Sequence, residues 1–176
     1  MSAPESLTDI YIEELADLWS ANDQMEKVVR DLAEAAGDEE LAGRLRESAD
    51  GIKEHTKTLK GLLDDLGEDD KEHCKGMEGL VAEARKHALD AKIEDPDVRD
   101  VVIVSQYQRM CHYGICGFGT ATAFAEALGL DEHVEKLDAI TGEIYDADEN
   151  FSDLAERSIN LQAREAEEAE DEEEDA

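Results

Sequence analysis

The stretch from Asp95 to Gly129 predicts one long helix, and this helix constrains the fold more than any other part of the chain. Asp95 is a suitable N-cap, Pro96 suits the first helical position, and Gly129 is a typical stop signal. The residues between them that follow helical spacing are Val98, Val101, Val102, Ser105, Gln108, Met110, Cys111, His112, Ile115, Phe118, Thr122 and Ala125. A helix that is apolar around most of its circumference lies inside a bundle. We therefore expect this helix to form the core of the molecule.

Two amphipathic helices precede it and predict a helical hairpin. The first begins near Glu5, has apolar residues at three- and four-residue spacing over about 30 residues, and ends at Gly37. Asp38 is the expected N-cap of the second helix, which ends at Gly67. The stripe of this second helix comprises Leu41, Leu45, Ser48, Ile52, His55, Leu59, Leu62 and Leu66.

A crossover and a last helix complete the predicted fold. Residues 77–89 have the pattern of a short helix within the segment that links the two hairpins, and Asp131 is the expected N-cap of the final helix. Two hairpins of long helices joined by a long crossover are typical of ferritin-like four-helix bundles, and an up-down-up-down bundle would not need that connection. The sequence thus predicts an all-α bundle over residues 5–162. Residues 163–176 form an acidic tail that is expected to be disordered or a frayed extension of the last helix.

The charge of the chain is strongly negative, with 48 acidic and 17 basic residues and a net charge of −31. Without the nine acids and one base of residues 164–176, the remainder still has 39 acids, 16 bases and a net charge of −23. A surface of this kind is typical of a protein adapted to a salt-rich cytoplasm, where salt screens the self-repulsion. An acidic interaction protein from an ordinary cytosol is the alternative. Binding of nucleic acid or of an anionic membrane surface is not expected, because phosphates require Lys and Arg.

Cysteine usage and the N-terminus predict a cytoplasmic, soluble protein. Cys74, Cys111 and Cys116 are odd in number and include no CxxC pair, so they resemble neither a disulfide framework nor a zinc site. The first residues contain no basic segment followed by an apolar run, and no segment approaches transmembrane length.

Four stretches of the chain resemble the ferritin-like YciE/YciF family over roughly residues 7–158. They are IYIEELADLWSANDQMEK (10–27), HCKGMEGLVAE (73–83), SQYQRMCHYGICGFG (105–119) and GEIYDADENFSDLA (142–155). The second is the most specific match, to a Cys-x-x-Met-x-Gly-Leu pattern. The resemblance implies a bundle of the type that holds two carboxylate-bridged metal ions, such as iron or manganese, and an association with stress.

The chain departs from that family at the implied ligand positions. Asn22 matches the Glu of the first helix, and Glu54 is the expected carboxylate of the second. The family's Glu-His-Tyr-Glu segment is replaced by Cys111-His112-Tyr113-Gly114. Gly142 matches the first Glu of the last helix, which leaves Glu143. Because a dinuclear oxidase needs bridging carboxylates, we expect that chemistry to be lost and no catalytic residue to be present.

Two hypotheses remain open from the sequence. In the first, the protein is a metal-free structural or stress-associated bundle, with His112 as a hydrogen-bonded core residue and Cys111 as a small, inert apolar one. In the second, a reduced site at Glu54, His112 and Glu143 binds one iron, manganese or zinc ion, with His55 and Cys111 as further candidates. The two adjacent residues Glu54 and His55 diverge by about 100° on a helix and cannot easily face the same ion.

Expected partners are few. An apolar helix face predicts a homodimer, and the acidic tail could recruit a basic protein. Gly114, Gly117 and Gly119 fall inside a predicted helix, where each glycine costs about 1 kcal/mol relative to alanine, so we expect them to allow close helix packing.

Overall fold

The computed structural model describes residues 3–68 and 72–166, and the fold over these residues is all-α as predicted. The helices are α1 (Leu7–Ala35), α2 (Glu39–Asp65), α3 (Lys75–Ala84), α4 (Pro96–Leu128) and α5 (Asp131–Leu154). α3 continues into a π-helical turn at Arg85–Leu89, and α5 continues into another at Ala155–Ile159.

The helix ends follow the capping residues of the sequence. The side chain of Asp38 accepts a hydrogen bond from the Leu41 amide at 2.8 Å, and Asp95 accepts one from the Asp97 amide at 2.7 Å. Gly129 ends α4 in the left-handed region with φ 71°, a conformation that only glycine adopts without strain.

One predicted cap is wrong. Asp131 is the first residue of α5, and the N-cap is Leu130, which has no side-chain hydrogen bond to the helix. An acidic residue in the first helical turn still interacts favourably with the helix dipole, so the composition of this turn agrees with a helix start although the cap position does not.

The helices form two antiparallel hairpins, α1–α2 and α4–α5, and α3 crosses over to link them. The carboxylate of Asp100, near the start of α4, accepts hydrogen bonds from the amides of Gly37 (2.9 Å) and Asp38 (2.7 Å) in the α1–α2 turn. The end of α1 therefore meets the beginning of α4, and these two helices are antiparallel. α2 and α5 also face each other, but they contact each other only sparsely. This arrangement is the predicted ferritin-like bundle.

The core consists of two apolar clusters, one toward each end of the bundle. Tyr11, Leu59 and Phe118 belong to one cluster, and Val28 and Tyr107 belong to the other. Along the four long helices the division between the clusters falls at the level of Asn22, His55, Gly114 and Ile144. A level with polar side chains therefore crosses the middle of the bundle.

The prediction that α4 is buried nearly all round is wrong. Its buried face contains Tyr107, Cys111 and Phe118, whereas His112 and Cys116 are exposed. Val98 is 40% exposed. The exposed face of α4 also carries apolar residues, so the sequence pattern makes the buried face look wider than it is. In the structure only one face of α4 is buried.

The close packing expected at the α4 glycines is present at two of the three. A Cβ at Gly117 would lie 2.6 Å from Leu18 Cδ2, and one at Gly114 would lie 3.3 Å from Ile144 Cδ1. A Cβ at Gly119 would meet no atom within 4 Å, so the packing reason expected there is wrong.

The predicted acidic tail falls largely outside the described residues. Residues 163–166 continue the helix that follows the π-helical turn of α5, and residues 167–176 lie outside the part of the chain that the structure describes. No helix within the described ranges is long and apolar enough to cross a membrane.

Candidate functional site

A cavity of about 320 Å³ lies at the middle of the bundle, between α2 and α5, with α1 and α4 behind it. It exists where the α2–α5 contact is sparse, and exposed residues such as Glu143 lie at its mouth. Its apolar wall comprises Met25, Ile52, Tyr107, Met110, Ile144 and Phe151. The polar side chains of Asn22, Ser48, His55 and Glu143 also line it.

Asn22 lines this cavity and carries a buried donor that is not satisfied. The residue is only 5% exposed, and its side-chain nitrogen Nδ2 is buried without a hydrogen-bond partner. Buried polar groups normally have a partner, because leaving one unpaired costs about 1–3 kcal/mol. The α1 position that the sequence matched to a carboxylate ligand therefore faces the centre of the bundle, as expected, but it carries a neutral amide.

His55 and Glu143 pair across the mouth of the cavity. His55 Nε2 lies 2.7 Å from Glu143 Oε2, and the imidazole packs edge-on against Phe118 with ring centroids 6.2 Å apart. His55 is 8% exposed, whereas the Glu143 side chain is 66% exposed. The pair therefore links α2 to α5 and uses the Nε2 atom that would otherwise be free to bind a ligand.

The α4 wall of the cavity contributes no charge. Burial raises the pKa of the Cys111 thiol to about 12, so the sulfur stays protonated near neutral pH when no metal is bound. Tyr107 donates a hydrogen bond to Ser48 Oγ at 2.9 Å, and burial raises its pKa. Gly114 has no side chain to offer.

The expectation that Glu54 and His112 lie inside the bundle is wrong. The Glu54 side chain is 67% exposed and forms an ion pair with Lys57, and the His112 side chain is 66% exposed and lies 3.2 Å from Asp148. Each is adjacent in sequence to a residue that faces inward. Neighbours on a helix diverge by about 100°, so only one of each pair points into the bundle. His55 takes the inward position on α2, and Cys111 takes it on α4.

The predicted trio of Glu54, His112 and Glu143 is therefore not brought together. Gly142 is also misplaced in the sequence interpretation, because it is exposed and Glu143 is the residue that reaches the cavity. Of the five candidate residues, the structure places His55, Cys111 and Glu143 around one cavity.

The residues around the cavity do not fit a dinuclear metal centre. Two divalent ions require several anionic oxygens to offset their charge. The lining contains three carboxylates, Glu47, Glu143 and Asp146, but all three are exposed at the mouth, and Glu143 is already hydrogen-bonded to His55. The buried part of the wall supplies a neutral thiol and a neutral amide. Within residues 3–68 and 72–166, no group of three or more His, Cys, Asp or Glu side chains could hold a metal ion.

Comparisons with known proteins agree with this architecture. Residues 6–164 match the family described as a domain of unknown function, DUF892. The chain is 27% identical over 159 residues to protein YciF of Escherichia coli (strain K12), covering 90% of this chain and 96% of YciF. The chain belongs to the YciE/YciF family.

Two solved structures of similar proteins have the same fold. The crystal structure of the E. coli stress protein YciF superimposes with a TM-score of 0.83 at 25% identity, covering 89% of this chain and 99% of that one. YcfI, a putative structural protein from Rhodopseudomonas palustris, gives a TM-score of 0.81 at 27% identity, covering 86% and 97%.

Cys74 hydrogen-bonds the crossover to α1. It lies in the stretch that resembles the YciE/YciF family most specifically. The Cys74 thiol donates a hydrogen bond to Asp17 Oδ2 at 3.1 Å, and the Tyr113 hydroxyl donates to the same oxygen at 2.8 Å. The Cys74 amide donates to Ser20 Oγ at 3.0 Å, and the Cys74 carbonyl accepts from Gln24 Nε2 at 3.1 Å. Burial raises the pKa of the Cys74 thiol. This cluster is structural and lies apart from the cavity lining.

The sequence does not predict a buried polar contact between the start of α1 and the start of α5. Tyr11 OH lies 2.9 Å from His133 Nδ1, and both side chains are buried. Burial raises the pKa of Tyr11 and lowers that of His133, so the phenol donates and the neutral imidazole accepts. The partners are 122 residues apart, and a buried His on a helix face was the only available signal.

Two histidines in the crossover region, His73 and His87, lie at the surface. His73 pairs with Glu78 at 3.0 Å, and His87 pairs with Glu83 at 2.9 Å. These are local pairs within or next to α3 and its π-helical turn, and among the described residues neither pair has a third His, Cys, Asp or Glu side chain with which to hold a metal ion.

Proposed function

We propose that this YciE/YciF-family chain is a metal-free, non-catalytic structural protein with a stress-associated role. The observation that carries the proposal is the identity of three residues that line the central cavity, Asn22, Cys111 and Gly114. At all three positions the family resemblance implies a carboxylate, and here they supply an amide, a protonated thiol and no side chain.

The charge of the cavity lining argues against two bound metal ions more strongly than its geometry does. Removing three carboxylates removes three negative charges from a buried site, and the carboxylates that remain in the lining, Glu47, Glu143 and Asp146, are exposed at its mouth and do not replace them. The bundle is instead held at this level by the His55–Glu143 pair, by the Tyr107–Ser48 hydrogen bond and by the apolar wall. A stress-associated structural role is supported by similar proteins, which are described as a stress protein and as a putative structural protein.

Oxidation of ferrous iron by oxygen tests the non-catalytic part of the proposal. We expect the full chain to oxidise iron no faster than the variant with His55→Gln and Glu143→Gln, because neither protein assembles a dinuclear site. A rate well above that of the double variant, with turnover, would contradict the proposal. The homodimer, the cytoplasmic location and a basic partner for the tail stay predictions.

A further inference from the structure

We infer that the central cavity is a binding site for an uncharged, largely apolar molecule that carries one hydrogen-bond acceptor. The inference rests on the proposed metal-free centre, because metal ions would compete for the same space. An aromatic ketone has the required chemistry, with a ring for the apolar wall and a carbonyl oxygen for Asn22.

The size of the cavity supports a ligand larger than water. Protein interiors are close-packed and rarely contain a void larger than a water molecule. A dry engineered cavity of about 150 Å³ lined by apolar side chains binds benzene. The cavity here has a volume of about 320 Å³, which lies within the range of small-molecule sites.

The wall specifies the polarity of the ligand. Met25, Met110 and Phe151 supply apolar surface, and the Asn22 Nδ2 group is a buried donor without a partner. Because an unpaired buried donor is costly, an acceptor on a bound molecule would gain its full hydrogen bond there. The Tyr107 hydroxyl already donates to Ser48, so Asn22 is the donor that remains to be satisfied.

The mouth specifies the charge of the ligand. Glu47, Glu143 and Asp146 are exposed carboxylates in the lining, and Arg44 is the cation that faces them. Arg44 already forms an ion pair with Glu40 at 2.8 Å. The potential at the entrance is therefore negative and disfavours an anionic ligand such as a carboxylate. Deeper in the wall, Asn22 and the protonated Cys111 offer no negative charge to a cation, which leaves a neutral molecule.

Methyl NMR of methionine tests the inference on the full chain. Met25 and Met110 line the cavity, and Met77 is buried elsewhere and serves as an internal control. Acetophenone should shift the Met25 and Met110 methyl signals saturably and leave Met77 unchanged. Ethylbenzene, which lacks the acceptor, should bind about tenfold more weakly, and benzoate should not bind.

Two variants test separately the hydrogen bond from Asn22 and the open space of the cavity. Asn22→Leu should remove the preference for acetophenone over ethylbenzene while keeping apolar binding. Gly51→Leu places a side chain in the cavity lining and should abolish binding of both probes. Gly43→Leu is the matched control, because Gly43 lies on the same helix outside the lining and a Cβ at either glycine meets no atom within 4 Å.

The inference is overturned if acetophenone causes no saturable shift at Met25 and Met110, if benzoate binds as tightly, or if Gly51→Leu binds as well as Gly43→Leu. Equal binding of acetophenone and ethylbenzene overturns the assigned role of Asn22. The metal content of the same sample distinguishes the two proposals. Metal-free protein that fails to bind contradicts this inference alone, whereas stoichiometric metal contradicts the proposed function.

Discussion

His55 Nε2 lies 2.7 Å from Glu143 Oε2, and this contact joins α2 to α5 at the level where the two helices otherwise contact each other only sparsely. In a bundle that held two metal ions, side chains at this level would bind the ions. Here the histidine and the carboxylate bind each other, and the space behind them is a cavity lined by Asn22, Cys111 and Gly114.

Two glycines two residues apart on α4 are predicted to respond oppositely to alanine. Gly119→Ala should stabilise the protein by about 0.5–1 kcal/mol, because alanine favours the helix and its Cβ meets no atom within 4 Å. Gly117→Ala should destabilise it by about 1–3 kcal/mol, because its Cβ would lie 2.6 Å from Leu18 Cδ2. Denaturant unfolding at one salt concentration measures both. The same sign for the two variants would contradict the packing described for α4.

The protein should become less stable as the pH is lowered, because of His133. Burial lowers the pKa of His133 below its usual 6.5, so the unfolded chain binds this proton more readily than the folded one. The stability that this residue contributes is therefore fully present above about pH 6.5 and is lost as the pH falls through the lowered folded value.

The matched measurement is the unfolding free energy of wild type relative to His133→Gln, from about pH 7.5 to about pH 5. We expect the advantage of wild type to shrink with falling pH over this window. His73→Gln, at an exposed site on the crossover, is the control for a general effect of removing a histidine. An advantage of wild type that is independent of pH would contradict the role assigned to the Tyr11–His133 contact.

The three cysteines should differ in reactivity. Cys116 is exposed, whereas Cys74 and Cys111 are buried and burial raises the pKa of both thiols. Because the thiolate is the reactive form, a disulfide reagent near pH 8 should label one thiol per native chain quickly and all three in denaturant. Cys116→Ser should remove the fast phase. Rapid labelling of Cys111 in the native protein would show an open, ionised thiol and contradict the neutral cavity wall.

Salt should stabilise this protein strongly. With a net charge of −31, self-repulsion acts over the Debye length, which is about 8 Å at 0.15 M salt and about 3 Å at 1 M. We expect the thermal midpoint to rise from low salt to about 2 M KCl. Replacing the exposed acids Glu132, Glu135 and Asp138 by their amides should reduce the slope. A midpoint that does not change with KCl would contradict adaptation to a salt-rich cytoplasm.

Much of the fold could be predicted from the sequence because its signals are local. The caps Asp38 and Asp95 and the stop at Gly129 depend on residues within one helical turn, and all three are confirmed. The two hairpins and the crossover follow from helix lengths and their order. The π-helical turns at Arg85–Leu89 and Ala155–Ile159 were not predicted, because they depend on tertiary packing and have no capping residue.

The candidate site could be predicted only in part, because an error of one residue along a helix turns a side chain by about 100°, which is enough to move it from the inner face to the outer one. The family resemblance implies Glu54 as the ligand on α2, but His55 faces inward there; on α4, Cys111 is buried and the neighbouring His112 is exposed. A carboxylate at position 54 agrees with the family resemblance but not with the stripe through Ile52 and Leu59. The Tyr11–His133 contact joins residues 122 apart in sequence, so no local pattern could indicate it.

The metal content of the purified full chain tests the central claim most directly. The protein is purified without chelator, incubated with ferrous iron, manganese or zinc, freed of unbound ions and analysed for its elements. The account predicts no stoichiometric metal, with the same result for the variant His55→Gln, Glu143→Gln. One or two ions per chain, lost in that double variant, would contradict it.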